Sequence, residues 1–138
     1  MNFLENYLLL KQNTKQLSNV SCFNVGVGSR NSVVHFSDGD ERNSGVVKVV
    51  DSNTNPNLVL QLDTLHFPEP ISFIKIDIEG FELQAFEGMV DLLHRDKPTI
   101  WLEDLSGTAV GFLEENNYII QEAQVESCDY LMKYDYSK

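Results

Sequence analysis

Residues 71 to 80 constrain this chain more than any other stretch. Ile71 to Ile78 is almost continuously apolar and lies between Pro70 and Gly80, which is how a strand buried on both faces of a parallel sheet reads. Two charges interrupt it. Alternation along an extended chain puts Lys75, Asp77 and Glu79 on one face and Ile74, Ile76 and Ile78 on the other. A helix is predicted immediately afterwards: Leu83, Phe86, Val90 and Leu93 fall at helical offsets, Glu82 occupies the first turn where the helix dipole favours an acid, and Pro98 stops the run. Thr99 to Asp104 reads as the next strand, followed by a helix from Thr108 to Asn116 and strands at Tyr118 to Gln121 and Cys128 to Lys133. This β-α-β-α-β-β order predicts an α/β sheet, mostly parallel with antiparallel strands at its C-terminal end.

The first half carries weaker signals. Leu4, Tyr7 and Leu8 sit at helical spacing within residues 3 to 13, so the chain is predicted to open with a helix. Val20 to Val27, with Phe23, Val25 and Val27 on one face, and Val33 to Phe36 read as strands. Val46 to Val50 and Leu58 to Leu62 are further short strand candidates, and Ser37 to Gly45 and Asp51 to Asn57 read as loops. The length of 138 residues fits a single domain over residues 1–138.

Charge narrows the partners. Twenty-one acidic against ten basic side chains leave a net charge of −11, a field that repels phosphate backbones and anionic headgroups, so neither nucleic acid nor membrane is an expected partner. Cys22 and Cys128 are too few and too widely spaced for a disulfide framework or a metal knuckle and read as buried, reduced thiols. The N-terminus lacks the basic lead-in and cleavage site of a signal peptide, and no segment reaches the roughly 20 apolar residues of a membrane span. The expected location is cytoplasmic, which makes the Asn19-Val20-Ser21 sequon a chance match.

The candidate chemistry lies at the strand exits. Ligands of open α/β sheets bind outside the carboxyl ends of the strands. Asp77 and Glu79 share a face at one exit and Glu103 and Asp104 end the next strand, so up to four acids converge on one rim. Such a cluster needs a cation, a proton or partner dipoles, and its members are candidates for acid/base or metal work. Against this stands a structural reading in which these acids cap helices or face water and Lys75 pairs with Asp77. Other motifs fail on spacing. Gly26-Val27-Gly28 lacks the third glycine of a dinucleotide loop, Asn31 standing in its place. Asp38-Gly39-Asp40-Glu41 has Arg42 where a calcium loop needs a ligand. His35, His66 and His94 have no metal-site partners in sequence, no GxSxG elbow is present, and Trp101 reads as core.

The segments Ile74-Lys75-Ile76-Asp77-Ile78-Glu79-Gly80-Phe81-Glu82, Phe86-Glu87-Gly88 and Pro98-Thr99-Ile100-Trp101-Leu102-Glu103 together resemble the FkbM family of S-adenosylmethionine-dependent methyltransferases. Leu62-Asp63-Thr64-Leu65, Asn24-Val25-Gly26-Val27-Gly28 and Asn117-Tyr118 extend the resemblance over nearly the whole chain. It implies a Rossmann-like class I methyltransferase sheet that moves a methyl group from S-adenosylmethionine to a hydroxyl of a small molecule or sugar. The family's opening glycine-rich strand, its helix and its acid-tipped second strand have no counterpart in these residues, so the expected sheet is N-terminally truncated. Either the sheet closes differently, or the chain is part of a longer or homo-oligomeric enzyme. By the same resemblance, Gly26 and Val27 match the turn beside the adenine and Asp77 the acid beside the methionine and acceptor. Asp77 is expected to position or deprotonate the acceptor hydroxyl, with Glu79 and Glu103 shaping the site or holding a cation; no metal site is assigned. The alternative is a non-catalytic remnant or interaction module without the cofactor pocket.

Overall fold

The computed structural model describes residues 3–35, 56–78 and 80–137. The candidate strand Val46 to Val50, the Asp38 to Glu41 turn and the acid Glu79 lie outside the described residues. The chain divides into two compact units, residues 1–26 with 32–59 and residues 27–31 with 60–138.

In the first unit, helix α1 (Phe3–Thr14) forms where the helical spacing predicts it. The Tyr7 hydroxyl reaches the Cys22 carbonyl at 3.4 Å, and the Thr14 hydroxyl lies 3.3 Å from the Cys22 thiol. Strand structure in the predicted Val20 to Val27 segment is confined to β1 (Gly26–Val27). The period-two pattern there is not matched by burial, since Phe23 is 74% exposed. Strands β2 (Ser32–His35) and β3 (Pro56–Leu60) pair antiparallel, from Ser32 opposite Val59 to His35 opposite Pro56.

The second unit carries the buried core. Its sheet has the order β4-β5-β7-β6, from β4 (Phe73–Ile76), β5 (Thr99–Glu103), β6 (Tyr118–Gln124) and β7 (Asp129–Tyr134). β4 and β5 are parallel, whereas β5–β7 and β7–β6 are antiparallel. The antiparallel C-terminal strands are as predicted. A mostly parallel sheet is not: among the strand pairs of described direction, β4–β5 alone is parallel. Of the neighbouring strands in this sheet, only β4 and β5 are joined through helices; the helix after β5 leads to β6, on the far side of β7, and the β6–β7 pair is a hairpin, which forces antiparallel pairing.

Core burial is one-sided. Ile76, Ile100, Leu102 and Met132 pack with Phe86, Met89, Leu93 and Leu113 from the helices, while Phe73 on the opposite face is 55% exposed. The expectation of a strand buried on both faces is therefore corrected: Lys75 and Asp77 share the Phe73 face, and their charges keep it wet. Trp101 lies on this second face too, half-buried rather than core, donating its indole N–H to Asp129 at 3.3 Å. Both cysteines are half-buried free thiols rather than fully buried ones.

The helix expected from Leu83 to Leu93 is two helices, α2 (Glu82–Glu87) and α3 (Val90–Asp96). Gly88 breaks it. A Cβ at Gly88 would overlap the Gly28 carbonyl, so this position is glycine because another backbone presses against it. The Gly88 carbonyl accepts the Asp63 N–H, and the Asp63 carboxylate in turn accepts the N–H groups of Asp91 and Leu92 at 3.1 and 2.9 Å, capping the restarted helix from outside. α3 ends at Lys97, whose φ of 52° is left-handed, with Pro98 buried behind it. Helix α4 (Thr108–Glu115) covers the same face and is followed by Asn117 at φ 66°, a conformation asparagine tolerates.

Candidate active site

The parallel register sets the site. Lys75 stands opposite Trp101 and Ile76 opposite Leu102, so both chains leave the sheet side by side, Asp77 beside Glu103. A cavity of about 150 Å³ opens there, lined by Asp77, Gly80, Glu82, Glu103, Asp104, Leu105 and Ser106. Four of the seven lining residues carry carboxylates and none is basic. The sequence-predicted convergence of acids from two adjacent strands is thus present for Asp77, Glu103 and Asp104.

The four acids differ in their surroundings. Asp104 is 2% exposed. Its Oδ1 accepts the N–H groups of Ser106 and Gly107 at 3.1 and 3.0 Å and the Ser106 hydroxyl at 2.9 Å, and its Oδ2 accepts the Val110 N–H at 2.9 Å. Burial pushes its pKa up, but the Val110, Ser106 and Gly107 donors outweigh burial and hold it below the usual carboxylate value. Asp104 is therefore the structural acid: it ties the β5 exit to the first turn of α4. The left-handed Gly107, φ 72°, provides the bend between them.

Glu82 is 5% exposed. Its Oε1 accepts the N–H groups of Ile78 and Gly80, both at 3.1 Å. The sequence placed Glu82 only as a helix-dipole acid. Its reach back over the strand exit was missed, because Glu82 stands at the first helical position after Phe81 and not at the third, where a capping box would have signalled a backward contact. Gly80 has φ 94°, so the turn depends on glycine there.

Asp77 is the open acid. Its Oδ2 lies 3.6 Å from Lys75 Nζ, with the two side chains 45% and 63% exposed. The pairing foreseen as a rival explanation exists, but as a solvent-exposed contact, and such pairs contribute little. Glu103, half-buried at the end of β5, lines the same cavity. Among the described residues, no group of three or more His, Cys, Asp and Glu side chains has the arrangement of a metal site.

The sequence profile of the Methyltransferase FkbM domain matches residues 6–136. The chain belongs to the FkbM methyltransferase family. A crystal structure of Methyltransferase FkbM from Methylobacillus flagellatus KT is similar in fold, with a TM-score of 0.59 at 18% sequence identity. That likeness covers 96% of this chain and 32% of the other, so the chain spans about a third of that relative's length. No curated protein matches the chain in sequence. Among the described residues, no helix is long and apolar enough to cross a membrane.

The segments that carry the family resemblance are those that build the site: residues 74–82 supply the β4 exit and the start of α2, and residues 98–103 supply β5. Gly26 and Val27 form β1. A Cβ on Gly26 would stand 3.2 Å from a Val59 methyl, which favours glycine there, and Val27 packs against the core of the second unit. Val27 is not among the residues lining the cavity.

Proposed function

We propose that this chain is the acceptor-side part of an S-adenosylmethionine-dependent methyltransferase that methylates a hydroxyl of a small molecule or sugar. The observation that carries the reading is the single cavity shared by Asp77 and Glu103 at the exits of parallel neighbouring strands, in a chain of the FkbM family. The cofactor brings a methyl group on a positively charged sulfur. A lining whose charged groups are all acidic suits that charge and its neighbouring ammonium. The cavity's 150 Å³ is below the roughly 300 to 1,000 Å³ of a pocket for a whole drug-sized ligand, so it fits the reacting end rather than an entire nucleoside.

Within this reading, Asp77 holds the acceptor hydroxyl by accepting its hydrogen bond and takes the proton as the oxygen becomes bonded to the methyl carbon. S-adenosylmethionine, when bound, would supply the methyl group on a sulfonium and leave as the neutral thioether, the electron pair of the broken carbon–sulfur bond remaining with sulfur. Alignment supplies most of the acceleration, and the base assists. Glu103 lines the same cavity from the neighbouring strand. Glu79, by its place in sequence, adjoins Asp77, and Gly26 and Val27 keep the cofactor role that the family resemblance assigns them.

Two measurements test this. Calorimetric titration with S-adenosylhomocysteine is expected to show one site; no heat of binding would favour a non-catalytic interaction module instead. Labelled methyl transfer from S-adenosylmethionine, screened over sugars and small alcohols, is expected to fall about tenfold to a hundredfold in Asp77→Asn. Unchanged turnover removes Asp77 from the reaction.

A further inference from the structure

We infer that Glu82 is a positioning residue that fixes Asp77 in the cavity by reach rather than by charge, an inference that rests on the site reading above. Among the described residues of the β4 exit there is no regular pairing: β4 ends at Ile76, α2 begins at Glu82, and Gly80 between them has φ 94°. An exposed connection of this kind samples many conformations unless its N–H groups are bound. Glu82 supplies the restraint. One carboxylate oxygen, on a side chain 5% exposed, accepts N–H groups on either side of position 79, at Ile78 and Gly80. Ile78 is bonded directly to Asp77, so this contact sets the direction in which the Asp77 side chain leaves the backbone.

The same element anchors the restraint in the core. Glu82 begins α2, whose Ala85 and Phe86 are fully buried, so the oxygen that receives the two N–H groups is carried on a rigid support. The neighbouring strand exit repeats the device, with Asp104 binding the backbone beyond β5. The two neighbouring strand exits, one leading into Asp77 and the other ending at Glu103, are thus each tied down by a buried acid.

Two conservative variants separate reach from charge. Glu82→Gln keeps the length and an accepting oxygen; Glu82→Asp keeps the charge and withdraws the oxygen by one methylene. Amide hydrogen exchange measured by NMR is expected to be at least tenfold faster at Ile78 and Gly80 in Glu82→Asp and within threefold of wild type in Glu82→Gln, with Ile100 and Leu102 unchanged as internal references. The affinity for S-adenosylhomocysteine is expected to weaken at least fivefold in Glu82→Asp and less than twofold in Glu82→Gln. The reverse order, with Glu82→Gln the impaired variant, overturns the inference in favour of a charge effect, and unchanged exchange in both variants overturns it outright. A wild-type chain that binds no S-adenosylhomocysteine removes the methyltransferase reading instead, and the exchange pattern then decides on Glu82 alone.

Discussion

At the exit of β5, Asp104 is almost completely buried and accepts hydrogen bonds from three backbone N–H groups and one hydroxyl. At the exit of β4, Asp77 is 45% exposed along its side chain and is joined to Lys75 across 3.6 Å. Both are aspartates that close a strand of the same parallel pair, and both line one cavity. An acid whose lone pairs are all engaged by nearby donors is part of the frame. An acid left facing a cavity is available to a ligand. Donor count and exposure therefore sort the carboxylates of this site, where residue type and spacing do not.

The contrast is broken most forcefully at Asp104. Asp104→Ala strands three N–H groups at the start of α4 and is expected to cost about 3 to 5 kcal/mol in urea unfolding, the scale of removing one partner from a buried, charge-assisted network. Asp77→Asn in the same assay is expected to cost under about 0.5 kcal/mol while turnover falls. Comparable losses at both positions would erase the distinction between frame and working acid.

Acid titration sharpens the same point. The Arg95 guanidinium, bonded to Asp96 at 2.7 and 2.8 Å, and the Ile71 N–H lower the Asp96 pKa to about 2, and the donors around Asp104 hold that carboxyl below its usual value as well. A carboxyl depressed on folding contributes stability that is fully present above the unfolded pKa near 4 and is lost as pH falls through the folded value. Unfolding free energy is therefore expected to decline between about pH 5 and pH 2. Asp96→Asn should be less stable than wild type at pH 7 and should decline less steeply. A parallel decline in the two proteins would show that Asp96 is not among the groups responsible.

Much of this was legible in the sequence where burial and periodicity coincide. The strand around Ile74 and Ile76, the one from Thr99 to Glu103, the hairpin strands and α4 all lie where the apolar pattern puts them, because the core is built from those same residues. The meeting of Asp77 and Glu103 followed from their positions at two strand ends. What failed depended on contacts distant in sequence. The break at Gly88 is imposed by the Gly28 backbone, sixty residues earlier, and by the Asp63 cap, neither of which leaves a periodic trace. The division of the acids into frame and open groups needed hydrogen bonds from turns that only form once α2 and α4 are docked. The Val20 to Val27 pattern looked like a strand because alternation measures propensity, while a strand also needs a partner.

The smallest effect expected is at Lys75, and it decides whether the Asp77 side of the comparison holds. Lys75→Ala removes the pairing of Asp77, but the pair sits in water, where an ion pair of this kind contributes at most about 1 kcal/mol and commonly nothing measurable. The expected change in unfolding free energy is within about 0.5 kcal/mol, and 0.5 M salt should leave the wild type equally unaffected at this site. The variant also strips a positive charge from beside an acidic cavity, so the cationic ammonium of S-adenosylhomocysteine is expected to be bound as well or slightly tighter. A loss of about 2 kcal/mol instead would mean that the exposed pair holds the β4 exit in place. Asp77 would then belong with Asp104 in the frame, and the cavity would have lost its working acid.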